Sequence, residues 1–568
     1  MKKIKRAAVL GSGVMGATIA AHLANAGLKV LMLDIVPGEP DEQEKSRGLT
    51  LKSPEVRNRI ARNGLNSLLS MKPAPFLLKE YASRIEIGNF EDHAARLGEC
   101  DWVLEVVLEN MDIKKKVFQE IVVPNLKSGA VLSTNTSGLS VNEMAGVLPE
   151  PIKKRFMVTH FFNPPRYMRL MEVVGCEESD PEEVREMAEF LSRRLGKGIV
   201  YCKDTPNFVA NRIGVYSIAK CLRHMMDMDM SVEEVDAVAG KPTGRPKTAA
   251  FKTSDLVGLD TMAHVAENSY EALRDDEERE AFKLPGWFEE MIQNRQLGNK
   301  TGQGFYKKEK TEQGLKRYYW DYKNKEYVPV QKPKFESVKF AGMAKSTAER
   351  IKAVVQGQDR AAEFAWRNLR DTLLYSFKRI PEIADDVVNI DNAMKWGFNW
   401  ELGPFEMLDA IGIDYFIERA RKDQAAVPNE LEGIERFYRV ENGRRLYFDL
   451  KTRTYQEVPV KEGVIELSLL KKSRGVVEKN DNASIVDLGD GIFCLEFHSP
   501  QNSLSDDMID LTERCVQLAE DQGQGVVLGN QGERFSVGAN LFMVAVGIAE
   551  GKFDEIDQSV RKIQNDHG

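Results

Sequence analysis

The sequence predicts an α/β chain: a doubly wound parallel sheet first, helical bodies after it, and a second α/β unit at the end. Three observations predict it. Gly11-Ser-Gly-Val-Met-Gly16 lies between an apolar strand and a helix, the turn of a β-α-β unit. From Pro206 the apolar residues fall three and four apart, the period of buried helix faces. From Ser484 short apolar strand patterns return, bounded by turn residues.

The elements run in order along the chain. Residues 4–10 form the first strand, Gly11–Gly27 the turn and helix, and Lys29–Leu33 the second strand, ending at Asp34. Residues 37–80 are polar and read as a helical insertion. Trp102–Val107 and Ala130–Ser133 are further short strands, continuing a parallel sheet to about residue 200. Residues 154–162 read as a strand, Asn163-Pro164-Pro165 breaks it, and Arg169–Val174 reads as another. If these two form a hairpin folded about Arg166, partners lie equally far from Arg166, and His160 falls opposite Glu172.

Residues 208–229 and 255–275 carry helical spacing, and the glycine-rich loop Gly298–Tyr306 closes that body. Residues 307–330 look like a small β-hairpin or insertion, and 331–345 like a linker. An internal repeat comes next. Val235-Asp236 and Ser254-Asp-Leu-Val-Gly-Leu-Asp260 return as Ile390-Asp391 and Leu408-Asp-Ala-Ile-Gly-Ile-Asp414, and Phe251 returns as Phe405. A repeated helical module implies duplication. The second copy lacks the Pro-Asn-Phe-Val-Ala-Asn-Arg opening of the first, so it reads as structural. Residues 430–480 are charged and irregular, partly strand-like. The expected domains are 1–203, 204–306, 307–345, 346–428, 429–480 and 481–568.

Bulk properties narrow the classes. The 568 residues are 42% hydrophobic with net charge −8, ordinary for a globular protein and contrary to a nucleic-acid partner. Cys100, Cys176, Cys202, Cys221, Cys494 and Cys515 are scattered without a CxxC pair, which suggests reduced thiols in a cytoplasmic setting and no metal site. Lys2, Lys3, Lys5 and Arg6 before an apolar stretch could pass for a signal peptide, but three glycines, His22 and Asn25 interrupt it. No apolar run reaches the roughly 18 residues of a membrane span. The terminal Asn565-Asp-His-Gly568 matches no targeting address.

The motifs then supply chemistry. In Gly11, Ser12, Gly13, Val14, Met15 and Gly16 the first glycine permits the turn, the second lets a pyrophosphate approach, and the third lets helix pack on strand. Asp34 at the end of the second strand suits two ribose hydroxyls and repels a 2′-phosphate, which favours NAD over NADP. A histidine oriented by a carboxylate, as His160 by Glu172, is a general base for a hydroxyl proton, and beside a nicotinamide it suggests alcohol oxidation. A buried hydrogen-bonded core histidine is the alternative. Ser133-Thr-Asn-Thr-Ser137 is either a polar turn or a ligand-facing one. Asn211 is either a helix-cap or interface amide, or a group reaching into the interdomain cleft. Glu105 and Glu109 fit a solvated face or a ribose contact. Arg57, Arg59, Arg62 and Lys72 fit a solvated face or a phosphate-rich substrate tail.

On these residues, the first 305 positions closely resemble the L-3-hydroxyacyl-CoA dehydrogenase family. The matches are Gly11–Gly16, Glu105-Val-Val-Leu-Glu109, Ser133–Ser137, His160-Phe-Phe-Asn-Pro164, Glu172, and Lys203-Asp-Thr-Pro206 through Asn211-Arg212. The resemblance implies a Rossmann-like NAD domain followed by duplicated all-α dehydrogenase C-terminal domains. It implies that Asp34, Glu109, Lys114, Ser137, Asn163 and Lys300 contact NAD. It further implies that His160 takes the 3-hydroxyl proton, Glu172 holds the imidazole, and Ser137 and Asn211 fix the oxygens of an acyl-CoA substrate. Residues from about 484 look like the start of a crotonase (enoyl-CoA hydratase) domain, with Phe535-Ser-Val-Gly-Ala-Asn-Leu541 in place of its first oxyanion segment and Asn540 where that family usually has Asp. That order resembles a bacterial fatty-acid β-oxidation fusion subunit, a homo-oligomer with a thiolase partner. The hydratase part is expected to be incomplete and inactive in this chain. A dehydrogenase for a free β-hydroxy acid, or a non-catalytic NAD- or acyl-CoA-binding scaffold, are the competing expectations.

Overall fold

The computed structural model describes residues 3–565 apart from residues 313, 461–462 and 533. Lys2 and residues 566–568 of the terminal tetrapeptide lie outside the described residues. The chain forms two compact units, Met1–Phe437 and Tyr438–Gly568.

The first unit is built on an eight-stranded sheet. Its strands are β1 (Arg6–Leu10), β2 (Lys29–Asp34), β3 (Ile85–Asn89), β4 (Trp102–Glu105), β5 (Val131–Thr134), β6 (Phe156–Phe161), β7 (Leu170–Gly175) and β8 (Gly198–Tyr201), in the order β3-β2-β1-β4-β5-β6-β7-β8. β1 to β6 run parallel, and β7 turns back against β6. β4, β5 and β6 are buried throughout, which explains why they read as continuous apolar runs. Helices Val14–Asn25 and Pro181–Arg194 cover one face over Val9, Leu104 and Met157. The other face packs Leu10, Val103, Phe118, Phe156 and Phe208. The order reverses at β1 and β4, so their carboxyl ends open a crevice, the usual ligand position of such sheets.

After the sheet come helices Ala210–Asp227, Val232–Val238, Phe251–Val257 and Leu259–Ala272, followed by Gly286–Gln293. Four more run Arg360–Lys378, Val387–Gly397, Pro404–Ile411 and Ile413–Lys422. Several hydrogen bonds recur in both sets. Asp236 accepts hydrogen bonds from the amides of Ala250 and Phe251 at 3.1 and 2.8 Å. Asp391 accepts from Phe405 and Glu406 at 2.8 and 3.2 Å. Asp255 accepts from the amide of Phe305 at 2.8 Å, and Asp409 from that of Phe437 at 2.7 Å. Gly258 and Gly412 begin the fourth helices at φ 106° and 94°, a conformation that only glycine adopts freely. The sets also grip each other. Tyr216 stacks on Tyr375 at 3.9 Å, and Arg245 donates to Asn368 and Ser217.

Three stretches differ from the sequence expectation. Residues 331–345 are not all linker: Glu336–Ala341 is a helix whose Ser337 is held by Asp359, a partner too distant in sequence to signal it. Residues 307–330 hold the expected hairpin, extended by a third antiparallel strand. In the second unit, Tyr438–Glu441, Arg444–Asp449 and Thr454–Glu457 form an antiparallel sheet, in keeping with the partly strand-like reading, but Leu467–Arg474 is a helix that the reading lacks. Beyond them Ala483–Gly489, Ile492–Phe497 and Gly525–Gly529 form a sheet, the last two parallel and joined by helix Asp506–Gln522. Among the described residues no helix is long and apolar enough to cross a membrane.

Candidate active site

β1 ends at Leu10, and Gly11 turns the chain at φ 106°. A Cβ on Gly11 would lie 2.5 Å from the Val106 carbonyl oxygen, and one on Gly16 2.0 Å from that of Gly11. Gly13 differs: nothing lies within 4 Å of where its Cβ would be. The turn thus leaves an open face over the N-terminus of helix Val14–Asn25, whose first turn holds no acidic residue. Free amide hydrogens and the helix dipole suit a pyrophosphate there. Ser12 donates its amide and its hydroxyl to Asp34 Oδ2, each at 2.6 Å, and Ile35 donates its amide to Oδ1 at 2.7 Å. The carboxylate that the sequence reserved for a ribose therefore also fixes the turn. These residues fit a dinucleotide.

Across the crevice, Glu109 lies just past β4. Its Oε1 accepts from Thr136 Oγ1 at 2.6 Å, the Ser137 amide at 2.8 Å and the Ser137 hydroxyl at 3.1 Å. Burial alone would raise this carboxyl, but Lys114 and the Thr136 and Ser137 bonds outweigh it and hold it below the usual range. The Lys114 ammonium is 1% exposed and lies 2.9 Å from Glu105 and 3.2 Å from Glu109. Lys114 was expected at the cofactor. It is enclosed between these two carboxylates, where it compensates the charge of Glu105 that solvent cannot reach. Glu105 and Glu109 are accordingly not a solvated face. Within the polar turn, Ser133 is consumed by Trp102 and Thr159, while Asn135 holds the amide of Phe161 at 2.8 Å. Only Ser137 of that segment stands at the Glu109 end and half-exposed.

The hairpin forms in the expected register, with His160 opposite Glu172. His160 Nδ1 lies 2.7 Å from Glu172 Oε2. The other oxygen, Oε1, accepts the amides of Val209 at 3.1 Å and Ala210 at 2.8 Å, the N-terminus of helix Ala210–Asp227. Glu172 is fully buried and His160 is 6% exposed. A carboxylate held by two amide donors and a helix dipole is an acceptor for the imidazole. That assigns the proton to Nδ1 and leaves Nε2 as a base. Phe162 and Phe208 flank the ring at 4.6 and 6.0 Å. Burial, then the nearby Glu172 charge, push the Cys202 thiol well up, so it stays neutral.

The other expected site residues are more scattered. Asn211 stands in the first turn of the same helix, half-buried, with no hydrogen bond from its side chain among the described residues. Asn163 is exposed just past β6. Lys300 pairs with Asp260 at 2.5 Å, and among the described residues no hydrogen bond joins it to the rest of the site. Arg57 is taken by Glu91 and Asp92, and Arg59 by Glu44 and Asp41. Two of the four residues that fit a solvated face or a phosphate-rich tail are thereby paired with carboxylates. Sequence reasoning missed the Val209 and Ala210 amides, since backbone donors carry no residue signature. It also missed Lys197, which is 4% exposed and donates to the Pro165 and Met168 carbonyls of the hairpin loop.

Residues 6–205 match the family model of the NAD-binding domain of 3-hydroxyacyl-CoA dehydrogenase, and residues 208–308 that of its C-terminal domain. The chain is 44% identical over 568 residues to a Bacillus subtilis protein described as "Probable 3-hydroxyacyl-CoA dehydrogenase", covering 99% of this chain and 71% of that one. It is 27% identical over 563 residues to a Rickettsia prowazekii protein named for a fatty acid oxidation complex trifunctional enzyme, covering 98% and 72%. Among solved structures, 3-hydroxybutyryl-CoA dehydrogenase from Escherichia coli aligns at a TM-score of 0.54 and 22% identity, over 74% of this chain and 95% of that one, a likeness of fold.

Proposed function

The chain belongs to the 3-hydroxyacyl-CoA dehydrogenase family and is an NAD-dependent oxidoreductase, and from that premise we propose that His160 and Glu172 are its acid–base pair for a (3S)-3-hydroxyacyl-CoA. The observation that carries this reading is the 2.7 Å His160–Glu172 contact anchored on the Val209 and Ala210 amides. Nε2 of His160 takes the proton of the 3-hydroxyl as the C3–O bond becomes a carbonyl. NAD, when bound, accepts the hydride that leaves C3. Glu172 keeps the imidazole in the working tautomer and stabilises the positive charge it acquires. Ser137 and Asn211 hold the substrate oxygens. Gly11–Gly16, Asp34, Glu109, Asn163 and Lys300 hold the dinucleotide, and Lys114 acts there through Glu109.

We assign a place in fatty acid oxidation, supported by the name of the Rickettsia relative. We read the second helical set as a duplicate of the first, supported by the matching roles of Asp236 and Asp391, Asp255 and Asp409, and Gly258 and Gly412. We read residues 481–568 as crotonase-like, supported by the parallel pair joined through helix Asp506–Gln522 and by the Gly538–Ala539 segment paired with Ser503–Leu504. One assay tests the central claim: the loss of NADH absorbance with acetoacetyl-CoA, compared with free acetoacetate. Turnover with the thioester alone is expected. Turnover only with the free acid would replace the substrate class, and none with either would make the protein a binding scaffold.

A further inference from the structure

The second helical set lacks a catalytic motif, yet its helix Val387–Gly397 lies against the catalytic strands. Tyr201 at the end of β8 gives its amide to Asn389 Oδ1 at 2.9 Å, and Lys203 gives its amide to the Ile383 carbonyl at 2.9 Å. Arg169 stands over the Trp396 ring at 4.6 Å. The last residue of the helix, Gly397, reaches a corner where three segments meet. A Cβ there would lie 2.5 Å from Leu170 Cδ2, 3.3 Å from Ala210 Cβ and 3.5 Å from Phe162 Cε1. The Phe398 ring comes next and occupies the space that a side chain at Gly214 would need, 2.1 Å from its ideal Cβ. Gly397 has no positive φ, so space and not backbone conformation requires the glycine.

Each of the three groups around Gly397 bears on the His160–Glu172 pair. Leu170 is two residues before Glu172 on β7, on the same face of the strand. Ala210 gives its amide to Glu172 Oε1. Phe162 packs on the His160 ring at 4.6 Å. We propose that the Gly397-Phe398 corner is a positioning element of the dehydrogenase site, setting the separation of β7, the Ala210 helix start and Phe162, and through them the geometry of imidazole and carboxylate. This rests on the assignment of that pair as the acid–base machinery. The second helical set, read from the sequence as structural, thereby takes part in the chemistry without touching substrate.

The test compares three variants of the full chain. Gly397→Ala pushes a methyl group into the corner. A displacement of about 1 Å at a catalytic pair costs about 10- to 100-fold in kcat, and NAD affinity should hold within about twofold because the glycine turn is untouched. Gly357→Ala is the control, an equally tight glycine whose Cβ would meet Ser337 and Ala362 at 2.6 and 2.9 Å. It should lower the melting temperature comparably and leave kcat at the wild-type value. Adding Leu170→Val to Gly397→Ala makes room and should restore at least about tenfold of kcat. Wild-type kcat in a folded Gly397→Ala protein overturns the proposal, and so does a loss no larger than that of the control. If Gly397→Ala does not fold, Phe398→Ala is judged by the same kcat and affinity criteria. His160→Gln, assayed alongside, separates the two claims: if it keeps turnover the acid–base assignment fails, whereas wild-type Gly397→Ala beside an inactive His160→Gln sinks the corner alone.

Discussion

Replacing Glu172 by glutamine changes one atom and removes one charge, and the surroundings of that carboxylate decide the consequence. It makes three hydrogen bonds without solvent: His160 Nδ1 at 2.7 Å, Val209 N at 3.1 Å and Ala210 N at 2.8 Å. A glutamine cannot accept all three. If its oxygen keeps the two backbone amides, its NH₂ faces Nδ1. The imidazole must then accept there and carry its proton on Nε2, the atom needed as base. If the amide group is reversed, its NH₂ meets two N–H donors, leaving buried donors unpaired at about 1–3 kcal/mol each. The first arrangement is favoured, with the histidine in the wrong tautomer. The charge-assisted bond alone is worth about 1.5–3 kcal/mol, or about 10- to 150-fold in rate. Tautomer reversal adds to this, and an equivalent carboxylate-to-amide change in a Ser-His-Asp triad costs about 10⁴-fold. The expected loss in kcat is therefore about 10²–10⁴-fold, with NAD binding kept. NADH formation from (3S)-3-hydroxybutyryl-CoA measures kcat, and quenching of protein fluorescence measures NAD affinity. A variant within about tenfold of wild-type kcat refutes the pairing argument.

Other perturbations have equally definite outcomes. Lys114→Met leaves Glu105 and Glu109 facing each other uncompensated, so urea denaturation should read a loss of about 3–5 kcal/mol. Asp34→Ala removes the anchor of Ser12 and should weaken NAD affinity at least about tenfold while narrowing the preference over NADP, as read by fluorescence titration of both. Burial pushes the Lys197 ammonium down to about 7, whereas in the unfolded chain it titrates near 10.5. Between those values the unfolded state holds a proton that the folded state lacks, so stability gains with rising pH. Wild-type stability measured against Lys197→Met should rise from about pH 7 to 10 by up to about 1.4 kcal/mol per unit; a flat difference would contradict the burial of that charge.

Much of this was legible in the residues because it depends on local counting. Register in a hairpin is set by distance to its tip, which is why His160 and Glu172 could be paired in advance. The glycine turn is equally local, since Gly11 and Gly16 are excluded by backbone atoms of their own β-α unit and the neighbouring strand. The unread parts depend on distant partners. Nothing in sequence announces that Lys114 is enclosed beside Glu105, a carboxylate sealed from water. Arg57 and Arg59 carry no sign of their partners, because Glu91, Asp92, Glu44 and Asp41 come to them only in the fold. Gly397 carries no motif at all, and its importance lies in what three remote segments leave room for.

β8 is the last strand of the sheet, and its outer side is shielded by Asn389 and Ile383. Those residues emerge from the ribosome almost two hundred positions later. A nascent or truncated dinucleotide-binding portion therefore carries a naked strand border, a template for self-association. Fragments that stop before residue 380 should be prone to precipitate, whereas one running through Phe437 brings its own shield.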